Sequence, residues 1–403
     1  MYDEGAPHGA AVVAEYANPK PVRLMQTDSR VEYALPPRPG EPGDLLFIRD
    51  GNLLAQPFDA AQLRLAGDSF PIAQNVVYYG PTLAACFSVS DNGVLVYQPD
   101  FPVSDLKWYD RGGNEVGTVA RPVRQWGNVR ISRDGRRVAT AVWSPTGGAT
   151  SIWSFDADGR ESRQITFPPD VHRRPVWSPD GTHIAVGASP KVGGPRVAVL
   201  DVSGAEPPKV FAFVGDSHPA LPTDWSSDGR FIALDDGVQQ EQQTGWIADV
   251  AGGKAMPFLK NNFAQWGTAF SPDGKQVAFV SLESGRPEVY LQAFEPEPTP
   301  HVAGERRQVS RDGAWLVRWC QDGHEVYFLG LDNQMLAAAV RGVLDFGEPK
   351  ALFRIAGVPQ YSTTRDFQFD VSPDGQRFIF PTTGLVPPPP FTVIENWQGK
   401  FHR

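Results

Sequence analysis

The chain has 403 residues with 37 Lys and Arg against 46 Asp and Glu, and this net charge of -9 argues against a nucleic-acid partner, because phosphate-binding surfaces are basic. Its two cysteines, Cys86 and Cys320, are too few for a disulfide framework or a zinc quartet. The sequence contains no run of about 18 apolar residues, and Asp3 and Glu4 stand where a signal peptide carries Lys or Arg, so we expect no direct membrane insertion.

The first 30 residues contain two β-prone segments, 10–16 and 21–25, with the pattern of third and fourth strands. No first or second strand precedes them. Near the other end, 367–372 and 377–380 supply a first and a second strand. Pairing of the two ends would close a ring and remove its sheet edges. The segment 391–397 is a competing candidate for the third strand.

From residue 31 onward, one pattern of strands recurs eight times. Seven of the repeats carry a turn that resembles Ser-x-Asp-Gly, and successive glycines of these turns are 42 to 52 residues apart. A period of that length built from short strands is typical of a β-propeller. The predicted first strands of the repeats are 31–35, 84–89, 127–131, 174–177, 221–225, 266–270, 314–319 and 367–371.

We therefore predict an all-β fold: a single β-propeller of about eight four-stranded antiparallel blades, with seven blades as the alternative. The last blade is closed by the N- and C-terminal strands. The predicted domain spans 1–403, in which 31–354 form seven consecutive blades. Residues 1–30 and 355–403 share the closing blade.

The repeated turn accounts for a recurring aspartate. Asp or Ser hydrogen-bonds nearby backbone amides, and Gly adopts the positive φ that a tight hairpin needs. These aspartates occur once per repeat, so we predict structural turns and no carboxylate cluster. Cys320 replaces the Ser of its turn, and we expect it to be a packed strand residue.

The commonest catalytic motifs are missing. The chain has no Gly-x-Ser-x-Gly and no His-Glu-x-x-His sequence, and its seven histidines are scattered. The tripeptide Asp345-Phe346-Gly347 is kinase-like, but no other kinase motif accompanies it. We predict no catalytic residue, no cofactor and no metal.

The loops that lead into the first strands are the predicted binding surface. His172, Arg173 and Arg174 form a cationic run that could receive a carboxylate or phosphate. The other candidates are Trp126, Trp266, Arg365 and Asp366. In the alternative interpretation, which the residue types favour, Trp126 and Trp266 pack between blades and the charges are solvated.

The repeated pattern Pro-x-Trp-Ser-Pro-Asp-Gly-x-x-Ile-Ala resembles the TolB-type, WD-repeat-like propeller family over nearly the whole chain. More narrowly, five segments resemble the C-terminal propeller region of bacterial membrane serine/threonine kinases: 45–58, 87–97, 222–230, 283–290 and 396–397. This resemblance implies an extracytoplasmic sensing or protein-binding role. Such kinases carry further blades upstream, so it also implies that the chain is a truncated or split product.

The expected function is that of a non-catalytic scaffold for a protein, peptide or envelope ligand. One alternative is a propeller enzyme or a hydrolase-associated gating domain, either peptidase or glycan-active. Another is a fragment of a larger kinase. We expect a monomer, which is extracytoplasmic if it is part of a membrane kinase and cytoplasmic otherwise.

Overall fold

The computed structural model describes residues 9–15, 18–27, 29–79, 84–99, 104–120, 126–143, 150–168, 170–190, 196–213, 221–235, 245–259, 262–356, 369–382 and 390–401. The predicted all-β fold is confirmed, and the described residues form sheets with one short helix, in which all strand pairs but one are antiparallel. No helix in these ranges has the length and apolar character needed to cross a membrane.

The first part of the chain holds β1 (Gly9–Glu15), β2 (Asn18–Thr27), β3 (Glu32–Ala34), β4 (Gly43–Arg49), β5 (Asn52–Asp59), β6 (Arg64–Leu65), β7 (Phe70–Ala73), β8 (Tyr78–Tyr79), β9 (Ala84–Ala85), β10 (Phe87–Val89) and β11 (Val94–Tyr97).

The middle of the chain holds β12 (Asp105–Asp110), β13 (Glu115–Ala120), β14 (Trp126–Ile131), β15 (Arg137–Trp143), β16 (Thr150–Asp156), β17 (Ser162–Gln164), β18 (Val171–Trp177), β19 (His183–Ser189), β20 (Arg196–Asp201), β21 (Lys209–Val210), β22 (Ala212–Phe213), β23 (Leu221–Trp225), β24 (Phe231–Asp235), β25 (Gly245–Asp249) and β26 (Lys254–Leu259).

The last part holds β27 (Gln265–Phe270), β28 (Gln276–Ser281), β29 (Glu288–Glu295), β30 (His301–Gln308), β31 (Ala314–Trp319), β32 (Glu325–Gly330), β33 (Gln334–Gly342), β34 (Asp345–Phe346), β35 (Lys350–Arg354), β36 (Asp370–Val371), β37 (Arg377–Thr382), β38 (Thr392–Glu395) and the helix α1 (Trp397–Phe401).

The eight repeats correspond to sheets. Within the described ranges, eight sheets have three or more strands, and most contain four antiparallel strands in sequence order. The contacts divide the chain into unit 1 (Met1–Pro102, Trp143–Ala149 and Val386–Arg403) and unit 2 (Val103–Val142 and Thr150–Leu385). That residues 1–403 form a single domain stays a prediction.

Unit 2 holds six of these sheets, arranged in a ring. The inner strands β14, β18, β23, β27, β31 and β36 contact one another in this order, and β36 also contacts β14. Apolar side chains fill the spaces between neighbouring sheets, as where Trp266 and Val280 pack with Val317 and Phe328. Because each sheet buries both faces against its neighbours, the stability of every sheet depends on a complete ring.

The strands that complete this ring differ from the predicted ones. β37 pairs with β12 over six residues, from Asp105 opposite Thr382 to Asp110 opposite Arg377. The hairpin β12–β13 therefore supplies the third and fourth strands that β36 and β37 lack. This pairing also buries both faces of β37, since Phe378 and Phe380 pack with one neighbouring sheet and Ile379 with the other.

Unit 1 accounts for the two terminal segments. The strands β1 and β2, predicted to join the closing blade, pair with each other, and β38 pairs with β11. The core of the unit surrounds Leu46, Leu53 and Leu95, and Trp397 of α1 is fully buried in it. Gln398 donates to Asp44 Oδ2 at 2.9 Å, which attaches α1 to β4.

The predicted turn chemistry is present. Ser178 Oγ donates to Asp180 Oδ1 at 2.6 Å and accepts from the His183 amide at 2.9 Å, while Gly181 has a φ of 69°. Cys320 is buried, as predicted, and its burial raises the pKa of the thiol to about 11. Within the described ranges, no three or more His, Cys, Asp or Glu side chains are grouped to hold a metal ion.

Candidate functional site

Six positions of unit 2 are equivalent in its repeats, and we call them the channel ring. Each lies on an inner strand, two residues before the Ser or Cys that begins the turn. They are Arg130, Val176, Asp224, Ala269, Arg318 and Asp370. The four charged members line one cavity at the end of the channel where the Ser-x-Asp-Gly turns lie, which we call the turn mouth.

Arg130 crosses the channel. Its Nη2 donates to Asp224 Oδ1 at 2.6 Å, and its Nη1 donates to the carbonyl oxygen of Thr223 at 3.0 Å. The strand β18 separates β14 from β23 in the ring, so these bonds connect sheets that are not neighbours. The Nε atom of Arg130 also lies 3.7 Å from Asp370 Oδ2. A charge this deeply buried is tolerated only when paired.

The two aspartates also bind backbone amides. The amide of Phe270 donates to Asp224 Oδ2 at 2.8 Å, and the amide of Ile131 donates to Asp370 Oδ2 at 2.7 Å. Each carboxylate therefore satisfies an inner-strand donor as well as a guanidinium. The bonds hold both side chains in place and couple their positions to the neighbouring strands.

Arg318 lies at the most crowded point of the network. Its Nε is 3.5 Å from Asp370 Oδ1. Burial, together with the positive charges of Arg130 and Arg174, lowers the pKa of Arg318 to about 9, although Asp370 and Asp224 oppose the shift. At neutral pH the side chain is still protonated. It depends on the two aspartates for compensation.

The cavity above the ring has a volume of about 70 Å³ and aromatic walls that include Trp177, Trp225 and Trp319. Indole N–H groups hold two of these walls to the preceding inner strand: Trp177 Nε1 donates to Arg130 O at 3.1 Å, and Trp319 Nε1 donates to Ala269 O at 3.2 Å. Arg133, half-buried at the rim, donates to Trp225 O at 3.4 Å. A volume of this size, with polar groups at its base, accommodates a few waters or a small side chain.

The predicted cationic run lies on β18, away from the turn mouth, and its members have different environments. Arg174 is buried, and its Nη1 donates to Asp235 Oδ2 at 2.7 Å. Asp235 Oδ1 also accepts the Gly267 amide at 3.0 Å. A register shift in β18 and a positive φ of 49° place Arg174 toward this partner. Its guanidinium is therefore committed to an internal ion pair.

The other two residues of the run are half-buried. Burial lowers the pKa of His172, and its carbonyl oxygen accepts the Thr150 hydroxyl at 2.6 Å. Their role in ligand binding stays a prediction.

Of the remaining candidates, the structure describes the side chain of Trp266. Trp266 is 1% exposed, lies between two sheets, and donates from Nε1 to Trp315 O at 3.0 Å. The backbone of Trp126 begins β14, but its side chain lies outside the described part of the structure, as do Arg365 and Asp366. Their proposed contacts with a ligand therefore stay predictions.

Sequence reasoning missed the charged members of the channel ring. The signal was present, since Arg130, Asp224, Arg318 and Asp370 occupy the same column when the repeats are aligned at their turns. A charge in a position that other repeats fill with Val or Ala indicates a special environment. Only the ring closure shows that residues up to 240 positions apart (Arg130 to Asp370) meet there.

No protein-family model matches the chain. A TolB homolog of Chlorobium luteolum is 25% identical over 144 residues, which cover 36% of this chain and 31% of the relative. The Tol-Pal system protein TolB of Alcanivorax borkumensis is 34% identical over 79 residues, or 20% of this chain and 18% of the relative. The chain thus spans less than a third of the length of these two relatives.

A solved structure assigned to TolB of Agrobacterium tumefaciens has the same fold. It superposes with a TM-score of 0.54 at 16% identity, covering 70% of this chain and 98% of that chain. This identity is too low to compare individual sites. In its repeats and its strand topology, the chain is similar to the TolB-type β-propellers.

Proposed function

We propose that this chain is a non-catalytic propeller scaffold that binds a segment of a protein or peptide at the turn mouth of unit 2. The observation that carries the proposal is the cavity there, with paired Arg and Asp at its base and tryptophans in its walls. Aromatic residues and arginine dominate the energetics of protein interfaces. One similar protein is named as part of the Tol-Pal system, and a protein partner agrees with that name.

The channel charges favour recognition over catalysis. A general acid or base needs a charged or polar group within hydrogen-bond reach of the substrate. The side chains of Arg130, Asp224 and Asp370 instead pair with one another at the base of the cavity. These pairs stabilise the scaffold, and the rim contacts the ligand.

The narrower sequence-based hypotheses are part of this proposal. A sensing role and an extracytoplasmic location follow from the resemblance to kinase-associated propellers. Both stay predictions, as does the monomeric state. None of them is needed for binding at the turn mouth.

Selection from a displayed library of random peptides tests the proposal. Gln321 lies at the rim of the cavity, and Gln321→Trp fills part of it without removing a channel charge. We expect selected peptides to bind this variant at least about tenfold more weakly, a loss of about 1.4 kcal/mol. Arg341→Ala, at an exposed pair on β33, is the matched control and should not change binding. Selected peptides that bind the Gln321→Trp variant as tightly as the parent chain would contradict the proposal.

A further inference from the structure

A second groove lies on the same face of unit 2, between the sheet of β18–β21 and the sheet of β22–β26. Its volume is about 350 Å³, and its apolar lining includes Val199, Trp225 and Val250. Trp225 lies between this groove and the channel cavity and lines both. We call it the Trp225 groove.

The corresponding space between the preceding pair of sheets is filled by the chain itself. Arg137, five residues after Ser132, begins β15 and reaches the next sheet. Its guanidinium carbon lies 4.5 Å from the centroid of the Trp177 ring, and its Nη2 donates to Gly181 O at 2.6 Å. The guanidinium thus contacts both the indole and the turn of its neighbour.

The equivalent side chain in the Trp225 groove is His183, five residues after Ser178. The shorter imidazole stays beside its own strand, with Nδ1 2.7 Å from Thr182 Oγ1 and Nε2 3.9 Å from Glu206 Oε2. The space next to the turn is accordingly open. A Cβ placed on Gly229 would have no atom within 4 Å, whereas one on Gly181 would lie 3.0 Å from Arg137 Nη2.

The rim of the groove is acidic. Four carboxylates lie around it, and the Lys209 ammonium donates to the Val250 carbonyl. Hydrogen bonds from Ser178 and Ser203 hold the pKa values of Asp180 and Asp201 at about 2, so both are ionised at physiological pH. The rim carboxylates are Asp180, Asp201, Glu206 and Asp228. They exceed the single lysine and favour a cationic occupant.

We propose that the Trp225 groove binds an arginine side chain of a partner protein, in the way that Arg137 occupies the neighbouring space. Arginine fits better than lysine because a planar guanidinium both stacks on an indole and donates to carboxylates. Trp225 Nε1 already donates to Gly229 O at 3.1 Å, so the arginine meets a carbonyl with one acceptor site left. The groove requires no occupant in the channel cavity.

Titration of the full chain with N-acetyl-arginine amide tests the proposal, with N-acetyl-citrulline amide as the uncharged isostere. The eleven tryptophans are labelled with fluorine and followed by NMR. We expect arginine amide to shift the Trp225 resonance with a Kd of the order of 1–10 mM, and citrulline amide to bind at least about tenfold more weakly. Equal binding of the two probes would overturn the proposal.

Two further variants locate the site. His183→Arg should fill the groove from within, abolish the shift and leave the melting temperature at or above that of the parent chain. Glu206→Gln should weaken binding about threefold, while Glu305→Gln, an equal charge change on β30, should leave it unchanged. An unaltered shift in His183→Arg would exclude this groove. Gln321→Trp alters only the channel rim, so the two binding proposals can fail independently.

Discussion

At the scale of single residues, unit 2 places charged side chains in its buried interior. Arg130, Arg174 and Arg318 are matched by Asp224, Asp235 and Asp370, three cations against three anions. Each ion loses several kcal/mol of hydration in such a place, so the network is stable only as a set. The network fixes positions, since Arg130 holds together inner strands of sheets that are not neighbours in the ring.

Asp370→Ala should therefore be strongly destabilising. It removes the acceptor of the Ile131 amide and a counter-charge of both Arg130 and Arg318. We expect a loss of about 3–5 kcal/mol in the free energy of unfolding, measured by urea titration. Asp158→Ala breaks an exposed pair with Arg160 and should cost less than about 1 kcal/mol. If Asp370→Ala lost as little stability as Asp158→Ala, the network would contribute nothing to the stability of the fold.

At the scale of elements, the seam where β37 meets β12 decides whether the ring is closed. Arg111, in the turn between β12 and β13, reaches the neighbouring sheet and donates to both oxygens of Glu325, at 2.8 and 3.0 Å. It also donates to the Tyr327 hydroxyl at 2.8 Å and to Gly375 O at 3.1 Å. This guanidinium holds the pKa of Glu325 below its usual range.

Arg111→Ala should loosen this seam. The pair is about one-third exposed, which limits the expected loss of stability to about 1–2 kcal/mol. The sharper readout is hydrogen exchange, because the amides of β37 should exchange faster than those of β28 in the same variant. Arg341→Ala removes an exposed pair and should leave both strands unchanged. Equally faster amide exchange in β28 and β37 would indicate a general loss of stability and would contradict a local role of Arg111 at the seam.

At the scale of the whole molecule, unit 2 has what a separate folding unit needs. Its six inner strands form a closed cycle of contacts, and its sheets bury their faces against one another. Its closing sheet combines β12 and β13 with β36 and β37, so the edges of β12 and β37 pair with each other.

We expect a fragment spanning 103–385 to be a monomer with one cooperative thermal transition, measured by light scattering and calorimetry. The fragment 31–354 is the informative comparison, since it contains the seven consecutive blades predicted from sequence but lacks β36 and β37. It should aggregate, because β12 then has an unpaired edge. Aggregation of 103–385 with a soluble 31–354 would show that the ring closes differently.

The sequence by itself determined the local structure of this protein. Glycine-terminated turns, β-branched strands and a repeat of 42 to 52 residues depend on short-range preferences, so they could be predicted without knowledge of distant contacts. Tertiary structure decided which strand completes the ring, because 377–382 could pair with any third strand of suitable pattern, and burial of both its faces selects β12. Tertiary structure also decided the environment of Arg174. The sequence predicts a cation in a loop at the mouth of the channel, whereas the structure shows half of a buried ion pair. The partner, Asp235, lies 61 residues away, and only the packing of the ring brings the two side chains together.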